Sequence, residues 1–358
     1  MKKALIAMSG GVDSSVAAYL TKEAGYDCIG VTMKLYDGEN RAENGCCSLD
    51  DVLDAKAVAR KLGIPHHTFN FKDDFEKKVI APFVAAYEQG ATPNPCIECN
   101  RHLKFDALFA RAKELGCDYI VTGHYARIEK AGDKHTLCRA KDRRKDQTYV
   151  LYSLTSEQLS HVMFPLGALS KEEVRAIAER EGFINADKPD SQDICFIPGG
   201  DYAAFIRNYA KKDYPEGDFV DTKGNVLGRH NGIINYTVGQ RKHLGIALGE
   251  PAYVKEIDAK ENRVVLCRND ELFGKTLFAK DFNWISGEAP SGDVSGTACV
   301  RYRGVEREAV CTPTGKDSVK IEFLKPQRAI TRGQAVVLYS NDTVLGGGTI
   351  YSTSDVRR

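Results

Sequence analysis

Near the start of the chain, Ser9-Gly10-Gly11-Val12-Asp13-Ser14-Ser15 brings two glycines, three hydroxyls and a carboxylate into one short string. Adjacent glycines let a backbone turn sharply and come close to an anion. The hydroxyls and the free N–H groups of a following helix can then hold phosphate oxygens. Asp13 is a poor direct partner for phosphate, so it is expected to act through Mg²⁺ or a water. The string differs from the Gly-x-x-x-x-Gly-Lys-Ser/Thr loop because no lysine follows its glycines. An ordinary Gly-Gly turn with a Ser/Asp helix cap is the plainer alternative.

Thiols supply a second chemistry. Thr92-Pro93-Asn94-Pro95-Cys96-Ile97-Glu98-Cys99-Asn100 places Cys99 at the expected start of a helix over Asn100–Leu115. There the helix dipole and unpaired N–H groups would lower the thiol pKa and favour thiolate. The two prolines stiffen the approach. Cys195 lies in Asp190-Ser191-Gln192-Asp193-Ile194-Cys195-Phe196-Ile197, a loop whose apolar flanks equally suit a packed core cysteine. Cys28 and Cys117, beside strand-like runs, read as inert packing residues. Cys96 and Cys99 form a Cys-x-x-Cys, which also suits a redox couple, or two ligands to zinc or an iron–sulfur cluster with Cys195 as third. A four-thiolate zinc site would need a second such pair, and adjacent Cys46-Cys47 is a poor substitute. Between Arg139 and Lys145, five basic residues outnumber one acid, which favours contact with phosphates over a merely solvated face.

The whole chain sets bounds on these sites. Its 358 residues suggest two or three domains, and 42% hydrophobic with 28% charged residues is an ordinary globular composition. The net charge of +1 excludes a protein held to nucleic acid by bulk charge but permits a local patch. No run approaches the ~18 apolar residues of a membrane span, and Ala4–Met8 is too short for a signal peptide. Eleven cysteines, an odd number, argue against a disulfide scaffold. A cytoplasmic protein with no membrane partner is expected.

Short apolar runs alternate with helical patterns over the first two hundred residues. Strands are expected at Ala4–Met8, Cys28–Met33, His67–Phe71 and around Tyr119-Ile120-Val121, and helices at Asp13–Ala24, Asp50–Leu62 and Asn100–Leu115. Ser170-Lys171-Glu172-Glu173 opens a further helix as a capping box. This alternation implies an α/β N-terminal domain with a parallel sheet, Rossmann-like, over residues 1–206. Hairpins at Asp218–His230 and Ala252–Arg268 suggest a small mixed central domain over 207–280. Alternating strands at Ala298–Arg303, Arg307–Thr312, Val319–Leu324, Ala335–Ser340 and Val344–Tyr351 suggest a C-terminal β-barrel over 281–358.

Ser-Gly-Gly-Val-Asp-Ser resembles the loop of the PP-loop ATP pyrophosphatases, which split ATP between its α and β phosphates and attach AMP to a substrate oxygen. Further motifs narrow the resemblance: Thr122-Gly123-His124-Tyr125-Ala126-Arg127, Lys145-Asp146-Gln147-Thr148-Tyr149, the Asn94–Asn100 and Asp193–Ile197 segments, Gly239-Gln240-Arg241 and Gly346-Gly347-Gly348. With these, nearly the whole chain is similar to the bacterial tRNA-specific 2-thiouridylases, which place sulfur on the wobble uridine of certain tRNAs.

The resemblance implies roles residue by residue. Ala7, Met8, Ser9, Gly10, Gly11, Val12, Asp13, Ser14 and Met33 would hold ATP with Mg²⁺, and Gly123 would sit against the nucleotide. Asn94, Pro95 and Cys96 would face the target base. Cys99 would be the nucleophile, Cys195 the persulfide carrier, and Asp13 a further catalytic group. His124, Lys145, Asp146, Gln147, Arg301, Tyr302 and Gln334 would touch tRNA, with the barrel holding its body. A sulfur donor such as a cysteine desulfurase or a sulfur-relay protein would load Cys195. Cys96 departs from the pattern, since many relatives carry aspartate there. A PP-loop ligase acting on a small molecule, a non-catalytic RNA-binding protein with a vestigial loop, and a thiolase using an iron–sulfur cluster on Cys96, Cys99 and Cys195 are the alternatives.

Overall fold

A computed structural model describes residues 1–36, 49–190 and 194–353. Cys46-Cys47 and Ser191-Gln192-Asp193 lie outside the described residues. The N-terminal sheet holds β1 (Lys3–Ala7), β2 (Asp27–Lys34), β3 (His66–Asn70), β4 (Tyr119–Val121) and β7 (Val162–Met163) in the order β3-β2-β1-β4-β7. Every pairing in it is parallel. Helices α1 (Val12–Glu23) and α2 (Leu49–Leu62) provide crossovers. Apolar runs without alternation suit strands covered on both faces. Ala4, Leu5 and Ile6 are fully buried, and burial of a Leu or Ile side chain is worth about 1.5–3 kcal/mol.

The chain order turns outward in both directions from β1, so β1 and β4 flank a topological switch point. In open α/β sheets, ligands bind in the crevice beyond the carboxyl ends of such strands. The Ser9–Ser15 string follows β1 there, and Thr122-Gly123-His124 follows β4.

The central domain has a four-stranded sheet from β8 (Gly217–Val220), β9 (Val226–His230), β10 (Tyr253–Asp258) and β11 (Arg263–Cys267), in the order β10-β11-β8-β9. Both expected hairpins are present, and a parallel β11–β8 pairing joins them.

The barrel uses β12 (Phe273–Trp284), β13 (Val294–Cys299), β14 (Arg307–Pro313), β15 (Val319–Arg328), β16 (Ala335–Ser340) and β17 (Thr343–Thr353). A β12–β17 pairing closes these six strands, and β12 runs across residue 280. A hairpin of the N-terminal half, β5 (Ala126–Ala131) with β6 (Lys134–Arg139), extends the same sheet from β17 through Thr343 opposite Cys138. Among the described residues, no helix is long and apolar enough to cross a membrane.

Candidate active site

Ala7 ends β1 half-buried, and Met8 is buried, its N–H donating to the Val31 carbonyl (2.8 Å). Gly10 turns the chain at φ +78°, and a Cβ there would lie 2.3 Å from the Asp51 carbonyl oxygen. Only glycine suits both demands. Gly11 then caps α1 without a side-chain bond, and Val12 is buried as its first residue. Met33 is buried in β2.

Of the three hydroxyls expected to hold phosphate, Ser14 and Ser15 are buried and donate to the Gly11 carbonyl. Ser15 is fully buried, donating to the Gly11 carbonyl (3.1 Å) and accepting from Asn185 Nδ2 (3.0 Å). Its hydroxyl is a structural brace for the turn. Ser9 is exposed, and its N–H donates to Ser14 Oγ (3.1 Å), which in turn donates to the Gly11 carbonyl (3.0 Å). Gly123 lies against this turn rather than in open space: its hypothetical Cβ would be 2.8 Å from the Asp13 carbonyl carbon.

Asp13 belongs to a charged cluster that the local sequence does not reveal. Its Oδ1 accepts from the Tyr125 hydroxyl (2.7 Å) and from Lys171 Nζ (2.7 Å). Lys171, with a side chain 8% exposed, also pairs with Asp190 Oδ1 (2.7 Å). Lys145 Nζ meets Asp190 Oδ2 at 2.6 Å, and Arg175 stands 3.5 Å from Oδ1. Burial pushes the Asp190 carboxyl up, but hydrogen bonds from Lys145 and Lys171 outweigh it and hold the pKa at about 2. Burial, followed by the Asp13 charge, raises the Tyr125 hydroxyl, which keeps it a donor. A lysine absent from the loop's own string thus meets its Asp13 from the first position of the capping-box helix Lys171–Arg180.

The helix bearing Cys99 starts earlier than expected. Asn94 Oδ1 accepts from Cys96 N–H (3.1 Å) and caps it, and buried Pro95 takes the first helical position. The helical run continues through Pro95–Glu98, a π-helical Cys99–Ala107 and Leu108–Glu114. Cys99 therefore lies in the second turn, its N–H already directed at the Pro95 and Cys96 carbonyls. The expected activation of Cys99 by unpaired N–H groups is corrected accordingly: exposed Cys96 holds the terminal position, while Cys99 is 9% exposed. Half-buried Cys195 packs with Ile194 against the hydrophobic cluster that includes Cys99.

The residues expected at tRNA have internal partners. His124 is buried between Phe105 and Phe164, with Nδ1 2.7 Å from Thr122 Oγ1. Burial, then the Lys104 charge, holds its pKa well below the usual histidine value. Asp146 accepts from Ala140 N–H (2.8 Å) and Thr148 Oγ1 (2.6 Å), and Gln147 Oε1 accepts from Tyr125 N–H (2.9 Å). The basic stretch is paired with acids both within or beside it and from distant segments. Arg139 pairs with Asp146 (3.4 Å) and Glu306 (2.6 Å), Lys141 with Glu173 (3.2 Å), Arg143 with Asp342, and Arg144 with Asp142 (3.2 Å) and Glu172 (2.9 Å). A local count misses Glu172, Glu173, Glu306 and Asp342. Arg301 is exposed, and the Tyr302 ring lies tilted beside Tyr149 at a centroid distance of 6.0 Å. Gln334 Nε2 donates to the Thr92 carbonyl (2.7 Å), and Thr92 N–H to the Arg332 carbonyl (2.8 Å), docking a barrel turn onto the segment that leads to Cys96 and Cys99.

Comparison with known proteins follows this division. Matching family models are described as the tRNA methyl transferase HUP domain over residues 2–199, the tRNA methyl transferase PRC-barrel domain over 203–268 and the aminomethyltransferase beta-barrel domain over 274–350. The chain is 50% identical over 353 residues to tRNA-specific 2-thiouridylase MnmA of Clostridioides difficile (strain 630), covering 98% of each chain. It is 48% identical over 354 residues to the protein of the same name from Clostridium kluyveri, covering 98% of this chain and 99% of that one. A solved 4-thiouridine synthetase–RNA complex with bound ATP aligns at a TM-score of 0.39 and 20% identity, over 55% of this chain and 45% of that one. The iron–sulfur alternative is not favoured by the full-length relationship to the two MnmA proteins. Full-length identity near one half likewise disfavours a small-molecule ligase, and the chain belongs to the tRNA-specific 2-thiouridylase family.

Proposed function

We propose that this protein thiolates position 2 of the wobble uridine in tRNA, with ATP converted to AMP and pyrophosphate. Full-length relationship to proteins named for this activity carries the reading, and the loop at the β1/β4 switch point supports it. The Ser9–Ser14 turn and the α1 N-terminus would receive the phosphates, with Lys171 as a nearby cation. Asp13 is a carboxylate at the loop, and Mg²⁺ is typically held by one or two carboxylates together with substrate phosphates. When bound, it neutralises phosphate charge.

The uridine 2-oxygen attacks the α-phosphorus and pyrophosphate departs, so the ring oxygen becomes part of a good leaving group. Positioning and charge neutralisation supply most of the catalysis. A sulfur donor loads Cys195 as a persulfide. Its terminal sulfur attacks the activated carbon directly, and Cys99 then attacks the Cys195 sulfur, breaking the S–S bond to leave sulfur on the base. In the other order, Cys99 makes that attack first and frees the terminal sulfur as sulfide to attack the carbon. Either route expels AMP, joins Cys99 to Cys195 and requires a reductant to reopen that bond. The base must be unstacked from the anticodon loop, as single-stranded recognition permits. Arg301, Tyr302 and Gln334 are proposed to meet tRNA from the barrel, while Asn94, Pro95 and Cys96 face the base. His124, Lys145, Asp146 and Gln147 are proposed to meet RNA from the segments that follow β4 and β6. The cytoplasm, where tRNA and ATP meet, is the proposed location.

AMP and pyrophosphate formation with and without unmodified tRNA tests the reading, together with mass spectrometry of the tRNA. Product that depends on tRNA and sulfur replacing oxygen in uridine are expected. Cys195→Ala should still form AMP while thiolation stops, and retained thiolation in that variant would overturn the persulfide role.

A further inference from the structure

Lys104 reaches the crevice beyond β4 from the helical run that carries Cys99. Its Nζ lies 3.5 Å from His124 Nε2, and the adjacent Phe105 ring packs on the same imidazole at a centroid distance of 6.0 Å. Burial, then the Lys104 charge, keeps that imidazole neutral. Facing an ammonium, Nε2 is the acceptor, so Nδ1 carries the proton and donates to Thr122 Oγ1 (2.7 Å). Gly123, next to His124, packs on the nucleotide loop: a Cβ there would lie 2.8 Å from the Ser14 nitrogen. Contacts therefore run from the loop through Gly123 and His124 to the Lys104 ammonium.

The neighbouring cations are committed to acids. Lys171 is shared between Asp13 and Asp190, each at 2.7 Å, and Arg101 stands 3.6 Å from Glu98. Among the described residues, no acid pairs with Lys104, and its polar side-chain contact is the neutral His124. An ammonium has three donors. This one is half-buried, and its charge is held in place without being cancelled.

Lys104 follows Cys99 by five positions. In an α-helix that spacing turns a side chain about 140° around the axis. In the π-helical run Cys99–Ala107, each N–H pairs instead with the carbonyl five residues back, which brings Lys104 round to the side bearing Cys99. One side of the helix thus offers a thiol and, one turn later, a cation.

We propose that Lys104 is a catalytic residue that contacts the α-phosphate of the bound nucleotide. The inference rests on the reaction proposed above. As the uridine 2-oxygen bonds to the α-phosphorus, the bond to pyrophosphate breaks and its electron pair departs with pyrophosphate. When sulfur then adds at the ring carbon, the carbon–oxygen bond breaks and its pair leaves with AMP. Both steps load negative charge onto groups attached to one phosphorus, where a fixed ammonium lowers the barrier.

AMP carries the α-phosphate alone and adenosine lacks it, so the ratio of their affinities reads this contact. Calorimetry on full-length protein without tRNA supplies that ratio. Lys104→Met should cut the advantage of AMP over adenosine about tenfold or more and leave adenosine binding unchanged. Lys104→Arg should restore part of the advantage, and a merely structural role would weaken both ligands alike. Should the methionine variant fail to fold, Lys104→Gln serves the same comparison. With saturating ATP and tRNA, AMP formation by the variant should fall about a hundredfold or more. Its tRNA affinity in filter binding should stay within about threefold of wild type. An undiminished AMP advantage overturns the inference, and weakened tRNA binding beside it assigns the ammonium to an RNA phosphate instead. Wild-type protein that binds AMP through Lys104 yet never yields thiolated uridine overturns the underlying reaction and leaves the phosphate contact standing.

Discussion

Gly123 and Asp13 stand so close that a methyl group on the first would lie 2.8 Å from the carbonyl carbon of the second and 2.8 Å from the Ser14 nitrogen. Both obstacles are backbone, so rotamer changes cannot relieve the overlap. Gly123→Ala should push the end of β4 away from the start of α1, at a cost of about 1–3 kcal/mol. Chemical denaturation reads the stability loss, and ATP titration should show weaker binding. An alanine variant with unaltered stability and affinity would show that the two segments separate freely.

Lys171 lies between two carboxylates that need a cation. Lys171→Met keeps the volume and removes the charge, leaving Asp13 and Asp190 facing each other across an apolar side chain. Breaking a buried ion pair by removing one partner costs about 3–5 kcal/mol, and the partial exposure of both carboxylates places this case near the lower figure. A fall in Tm and a loss of tRNA-dependent AMP formation should appear together. Preserved AMP formation would remove Lys171 from the phosphate chemistry.

Cys96 and Cys99 should differ in both reactivity and necessity. Cys96 is exposed at the helix start, and Cys99 is buried one turn on. Iodoacetamide should therefore label Cys96 first, as peptide mass mapping would show. Cys96→Ala should stay within about threefold of wild-type thiolation, whereas Cys99→Ser should lose about a thousandfold or more as the sulfur-directed nucleophile disappears. Equal losses in the two variants would assign them a joint role instead.

Acid should weaken the fold through His124, which is buried, and His66, which is partly so. Burial, then the Lys56 and His67 charges, lowers His66 to about 4, and its Nε2 lies 3.0 Å from Thr32 Oγ1. His124 is lowered in the same direction. Between the ordinary histidine value of about 6.5 and the folded value, the unfolded chain binds more protons. The contribution is therefore full above about pH 6.5 and is lost as pH falls toward 4. Urea midpoints measured across that window should drop for wild type and drop less for His66→Gln. Parallel pH profiles would exclude His66 as a source of the slope.

Locally coded features were legible in the chain itself. Adjacent glycines after a short apolar run announced the phosphate turn. Ser170 and Glu173 announced a capping box that forms as written, with Ser170 N–H donating to Glu173 Oε2 (2.6 Å) and Glu173 N–H to Ser170 Oγ (3.1 Å). What depends on distant partners was not legible. Lys171 reads as one more exposed helix-start lysine until folding places it beside Asp13. Arg139 reads as part of a basic patch, yet it is buried over the Tyr339 ring at 3.7 Å. The helix bearing Cys99 begins before Asn100 because Pro95 is well suited to a first helical turn.

The join between β6 and β17 bears on how this protein can be dissected. Thr343 faces Cys138 across it, Arg139 N–H donates to the Asp342 carbonyl (2.9 Å), and Arg127 and Arg143 both pair with the Asp342 carboxylate. A fragment ending before Phe273 would bare the hydrogen-bonding rim of β6 and strand two guanidinium groups beside it. Such rims recruit other chains, so the isolated catalytic half should self-associate rather than behave as a tidy module. The barrel is thereby a structural lid for its neighbour's sheet, and shuffling it between family members would require exchanging the Ala126–Arg139 hairpin with it.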